Sequence, residues 1–100
     1  MPADDVFRLT GEAIVAARTG DATAAERTMA RLKQLYGVNP SYQYSQINVQ
    51  LGNVDGAFAE LDNAIQVKDA GLTSLKTDPF LDPIRNDRRY AALLKRLNFP

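Results

Sequence analysis

Along the first seventy positions apolar residues recur every three or four places, the spacing that puts side chains on one side of an α-helix. Val6, Leu9, Ala13, Ala16 and Ala17 align in this way and predict a first helix from about residue 4 to 19, which Gly20-Asp21 stops. Ala25, Met29, Leu32 and Tyr36 align in a second helix from 22 to 36, and Gly37 suits the left-handed turn that closes a helix. Asn39-Pro40 reads as a cap and a proline at the first position of a third helix, 40 to 51, with Tyr44, Ile47 and Leu51 in register. Gly52-Asn53 ends that helix. A fourth, 54 to 68, places Ala57, Leu61 and Ala64 on one line, with Phe58 and Ile65 beside it.

These elements pair into two hairpins, 4–36 and 40–69, whose bends lie 32 residues apart at Gly20 and Gly52. Self-similarity on this scale is the mark of a stacked helical repeat. Side-chain size repeats with the bends: five residues after each glycine stands a small residue (Ala25, Ala57), and four further on a large one (Met29, Leu61). A small residue lets two helices cross closely and a bulky one fills the groove beside it.

The Gly-(Asp/Asn)-x3-Ala-x3-(large apolar) spacing, completed in the second unit by Ala64, resembles the second helix of the tetratricopeptide (TPR) motif. In the preceding helix Ser41, Tyr44, Ser45 and Asn48 stand where that motif has Trp, Leu, Gly and Tyr. The remaining third of the chain reads Leu72-x2-Leu75-Lys76-x-Asp78-Pro79-x-Leu81-Asp82-Pro83-Ile84-Arg85-x-Asp87-Arg88-Arg89-Tyr90-x2-Leu93-Leu94-x2-Leu97. It is similar to the ends of TPR arrays at the C-termini of bacterial signalling proteins: class III adenylate cyclases, winged-helix transcriptional regulators and serine/threonine kinases. The resemblance implies an all-α fold, a TPR-like α-α superhelix of two helical hairpins plus a C-terminal capping segment over 71–99, the whole forming one domain, 1–100. It implies a regulatory or protein-binding appendage, with the enzymatic or DNA-binding part elsewhere in such proteins.

The capping segment also follows from its own residues. In Asp78-Pro79 and Asp82-Pro83 each aspartate suits a helix start, and the proline that follows has no N–H to leave unpaired. Asp87 then caps a last helix whose Tyr90, Leu93, Leu94 and Leu97 form one apolar stripe, with Arg88, Arg89, Lys95 and Arg96 mostly off it. A stack of repeats needs such a one-sided terminal element. At the other end Val15 points away from the stripe of the first helix, which leads to the expectation that this helix docks on an earlier repeat, a fused domain or a second copy.

Composition narrows the chemistry. The chain has neither Cys nor His, which removes thiol and imidazole catalysis and most transition-metal ligation. Its 12 Lys and Arg balance 12 Asp and Glu, so nothing draws it in bulk to nucleic acid or anionic lipid. Residues 71–100 are locally basic, with six bases to three acids. A solvated outer face accounts for Arg85, Arg88, Arg89, Lys95 and Arg96 without a nucleic-acid ligand. The acids are scattered or sit at turns; Asp78, Asp82 and Asp87 read as caps rather than a cation site, and no phosphate-binding glycine loop is present. The start, Met-Pro-Ala-Asp-Asp, has no signal-peptide character and no stretch approaches the length of a membrane span. The expectation is a non-catalytic, cofactor-free cytoplasmic module whose partner is a protein or peptide, not a membrane.

The residues left for that partner are large or polar groups off the core stripes of the first and third helices, which in a TPR hairpin line the concave surface. Phe7 and Ile14 are seven apart, with Arg18 beside them. Tyr42 and Val49 are also seven apart and lie opposite Tyr44, Ile47 and Leu51, with Gln46 and Gln50 on the same side. Together they suggest a groove with aromatic anchors, amides for a peptide backbone and a guanidinium for a carboxylate. The competing reading is that Phe7, Ile14, Tyr42 and Val49 pack against the folded-back C-terminal helix or cover the hairpin seam. A self-associating module without a peptide ligand, formed through the first helix, is the alternative function.

Overall fold

The computed structural model describes residues 4 to 97, so positions 98 and 99 of the expected capping segment lie outside the described residues. Five α-helices follow in order: α1 (Asp4–Arg18), α2 (Ala22–Tyr36), α3 (Ser41–Leu51), α4 (Val54–Gln66) and α5 (Arg88–Arg96). Two short 3-10 segments, Ala70–Ser74 and Pro79–Ile84, join α4 to α5. Among the described residues there is no strand.

The bends form where the chain supplies a residue tolerant of left-handed backbone and then a cap. Gly20 and Gly52 have φ of +90° and +79°, angles that cost an L side chain strain. Asp21 and Asn53 each accept an N–H three residues on, from Ala24 and Gly56. Asp87 caps α5 with a shorter reach, accepting the Arg89 N–H two residues on. Helices α2, α4 and α5 thus start on side-chain caps at positions 21, 53 and 87, spaced 32 and 34 residues apart.

Two boundaries differ from expectation. Helix α3 begins at Ser41, with Pro40 rather than Asn39 at the cap position and no side-chain cap from either. A distant group replaces it: the Tyr42 N–H donates to Asp69 Oδ2 at 3.0 Å. Helix α4 stops at Gln66, two residues early, because Lys68 turns to a positive φ of 56° and directs the chain back across α3.

Hairpin α1/α2 packs on hairpin α3/α4, with α1 lying along α3. Ala13, Ala25, Ala57 and Ala64 are completely buried. Helix α3 divides the core. Tyr44 and Ile47 join Leu9, Ala13, Ile14 and Leu32 on one side. Tyr42 and Val49 join Phe58, Leu61, Leu72, Leu75, Leu81 and Ile84 on the other. The stripe of α5 closes this second half, with Tyr90 and Leu93 buried and Leu94 and Leu97 partly so.

Helix α5 runs parallel to α4, held by Arg89 on Asp55 and Arg96 on Asp62, both at 2.8 Å. The Arg89 guanidinium also lies 4.5 Å from the centre of the Phe58 ring. Across the hairpins, Lys33 reaches the nearly buried Glu60 at 2.7 Å.

Candidate binding groove

An open groove of about 1150 Å³ runs between α1 and the returning tail, with α3 as its floor. Phe7, Ile14, Val15 and Arg18 come from α1, Tyr42, Gln43 and Gln46 from α3, and Asp69–Gly71, Ser74 and Thr77–Phe80 from the tail. Five of the seven residues read from the sequence as a partner surface therefore border one depression: Phe7, Ile14, Arg18, Tyr42 and Gln46.

Their environments differ from an array of open side chains. Phe7 is 65% exposed at the lip, and Arg18, also exposed, makes no ion pair among the described residues. Ile14 is buried against Leu9 and Ile47. Tyr42 and Val49, expected on an open face, are only 2% and 5% exposed. The tail covers that face of α3 with Leu72, Leu75, Leu81 and Ile84, as in the competing reading of these two residues, although the cover comes mainly from the 3-10 segments. Val49 and Gln50 do not border the groove.

The glutamines are likewise occupied by the chain itself. Gln46 Nε2 donates to Asp78 Oδ2 at 2.6 Å, and Gln50 Nε2 donates to the Phe80 carbonyl at 2.9 Å. These amides, expected to meet a peptide backbone, hold the tail's own turn.

Asp78 organises that turn. Its Oδ2 also accepts the Tyr42 hydroxyl at 2.7 Å, while Oδ1 accepts the Phe80 N–H at 2.9 Å as the cap of the second 3-10 segment. Behind it Arg85 donates to the carbonyls of Asp78 and Leu75 and to the Tyr90 hydroxyl, and pairs with Asp82 at 2.7 Å. Arg85 is thus an internal tie of the tail and not part of an outer basic face; Asp82 serves Arg85 rather than a helix start. Burial, reinforced by the bond to Asp78, pushes the Tyr42 hydroxyl far above its ordinary value, so it is a fixed neutral donor. Asp69 divides its two oxygens between Tyr42 N–H and Gly71 N–H. Gly71 sits so close to the Tyr42 ring that a Cβ there would lie 2.7 Å from ring carbon.

The floor of the groove is therefore preorganised and its hydrogen-bonding capacity largely spent. The lip, with Phe7, Val15 and Arg18, is what remains available. Asp69, Gly71, Asp78 and Phe80 were not legible as groove residues: they follow no helical period, and an Asp before Pro signals only a cap. Among the described residues no group of three Asp or Glu converges as a metal site, and no helix is long and apolar enough to cross a membrane. Compared with known proteins, the chain matches no family model, no curated protein and no solved structure.

Proposed function

We propose that this chain is a TPR-like α-α superhelix that binds a polypeptide segment in the groove between α1 and the tail, and that it performs no catalysis. The observation that carries the reading is Phe7, a large aromatic side chain 65% exposed on the lip of a depression that the fold leaves open. Aromatic side chains that become buried against a partner are frequent anchors of such interfaces, and ordered walls reduce the entropy lost on binding. Arg18, at the far end of α1, is placed for a carboxylate of the ligand. The 32- and 34-residue spacing of the helix caps supports the repeat architecture. Likeness of the tail to the ends of bacterial TPR arrays makes a regulatory part of a cytoplasmic signalling protein the setting in which such a groove would act.

The test is selection of ligands from a displayed random-peptide library, followed by calorimetric titration. Peptides that depend on the groove should lose at least about tenfold in affinity for Phe7→Ala, with the melting temperature of the protein unchanged. If the selected peptides bind Phe7→Ala and Arg18→Glu as tightly as the parent protein, the groove is not the binding site.

A further inference from the structure

The groove between α1 and the tail has few hydrogen-bonding groups left to offer. Along its walls the Thr10, Thr19 and Thr77 hydroxyls donate to carbonyls of their own turns, and the Tyr42 hydroxyl donates to Asp78. Asp69 and Asp78 have both oxygens engaged. Among the described residues, the lining side chains that carry donors and make no bond within the chain are Arg18, Gln43 and Ser74. Main-chain groups are no more available. The walls are α-helix and 3-10 turn, and the N–H groups of Gly71, Thr77, Asp78 and Phe80 are bonded within the tail. No strand lies among the described residues, so an extended peptide finds no sheet edge to pair with.

This inventory discriminates between shapes of ligand. Each residue of an extended segment brings an N–H and a C=O, and three free side chains cannot serve the row of them that faces the walls. Burying the unpaired remainder is costly. An α-helix bonds its own backbone and presents only side chains.

The α1 wall has the relief of a helix-packing surface. Phe7, Gly11, Val15 and Arg18 follow at intervals of four, four and three residues and form one ridge. Gly11 interrupts it with a notch, where a Cβ would meet nothing within 4 Å. A side chain of a packed helix fits such a gap. From Phe7 to Arg18 the ridge is roughly 16 Å long, three turns of a second helix. Charge adds a further feature: Arg18 ends the ridge with no ion pair among the described residues, whereas both carboxylates of the lining are bonded internally. A second copy of this chain is not suited as the occupant. Its exposed large apolar side chains among the described residues are Phe7 and Val15, which line the groove, and Leu35 and Val38 near the end of α2, which make no helical stripe.

We propose that the groove receives an amphipathic α-helix of about three turns from another protein. Its apolar side lies on Phe7, Ile14 and Phe80, one side chain enters the Gly11 notch, and an acidic residue meets Arg18. The proposal rests on the groove being the binding site and specifies its ligand.

Two displayed peptide libraries test it on the intact protein. One holds acidic, helix-forming peptides randomised at positions i, i+3, i+4 and i+7; the other holds peptides kept extended by a central pair of prolines. The helical library should yield binders that lose about tenfold or more in affinity for Phe7→Ala. Gly11→Leu fills the notch and should cost these binders at least about tenfold, with the melting temperature unchanged or raised because leucine suits a helix better than glycine. Arg18→Glu should weaken them, and exchanging the peptide's acidic residue for lysine should restore affinity. Phe7-dependent binders from the extended library alone would overturn the helical ligand and leave the groove standing as a site. Helical binders indifferent to Gly11→Leu, or not restored by the lysine exchange, would overturn it equally. If neither library yields a Phe7-dependent binder, the groove reading fails and this proposal with it.

Discussion

The Tyr42 hydroxyl donates to Asp78 across 2.7 Å, joining residues 36 positions apart at the point where the tail returns over α3. Both groups are buried, and Gln46 shares the same carboxylate oxygen. A buried acceptor that loses a donor retains the cost of having left water. Tyr42→Phe should therefore destabilise the protein by about 1–3 kcal/mol. Tyr42→Ala, which also empties the space of the ring, should cost about 3–5 kcal/mol. Urea midpoints of the two variants measure this; an unchanged midpoint for Tyr42→Ala would mean that the tail is held by something else.

Gly71 tests the same junction from the opposite side. Its absent Cβ leaves room for the Tyr42 ring, whose atoms would come within 2.7 to 2.9 Å of the added carbon. Gly71→Ala should cost about 1–3 kcal/mol, the usual effect of overpacking. In a Tyr42→Ala background the penalty should largely disappear, because the clashing partner is gone. Equal penalties in both backgrounds would locate the effect in the backbone of the 3-10 segment and not in the ring contact.

The partial success of sequence reasoning has its cause in this junction. Helices α1, α2 and α4 each keep one face toward solvent, so their period and their glycine bends identify them almost to the residue. Helix α3 is buried on two sides, with Tyr44 and Ile47 in one half of the core and Tyr42 and Val49 in the other. In such a helix the second apolar stripe looks the same whether it faces a ligand or another part of the chain. Gln46 and Gln50 added to the impression of an outward face, yet their partners, Asp78 and the Phe80 carbonyl, lie 32 and 30 residues further on. Those partners sit in 3-10 turns, which leave no periodic signal. The exposed lip was easier: Phe7 and Arg18 lie off the core stripe of a regular helix, and both stay exposed among the described residues.

Arg89 and Arg96 make matching ion pairs from α5 to α4, but only Arg89 also lies over an aromatic ring. Removing Arg89 should lower the melting temperature more than removing Arg96. High salt screens exposed ion pairs and leaves packing on the ring largely intact. The difference between Arg89→Ala and Arg96→Ala should thus persist in about 1 M salt, where the Debye length is only ~3 Å. Convergence of the two melting temperatures under those conditions would show that the Phe58 contact contributes nothing.

Alkaline pH tests the buried tyrosines together. Burial, and secondarily the charge of Glu60, pushes the Tyr44 hydroxyl up to about 12, while its proton is donated to the Gly37 carbonyl at 2.6 Å. Tyr42 is raised further by burial, its bond to Asp78 and the charge of that carboxylate. In the unfolded chain both return to the ordinary value of 10.0. The folded state then holds protons that the unfolded state has released, so stability falls as pH rises. This contribution is fully present below about pH 10 and drains between about pH 10 and 12 for Tyr44, continuing above that for Tyr42. Tyr44→Phe should lower the urea midpoint at neutral pH but flatten its decline over that interval, and adding Tyr42→Phe should flatten it further. If parent and double variant lose stability with the same slope above pH 10, these hydroxyls do not control the alkaline limit, and the buried bonds at Gly37 and Asp78 are weaker than their geometry implies.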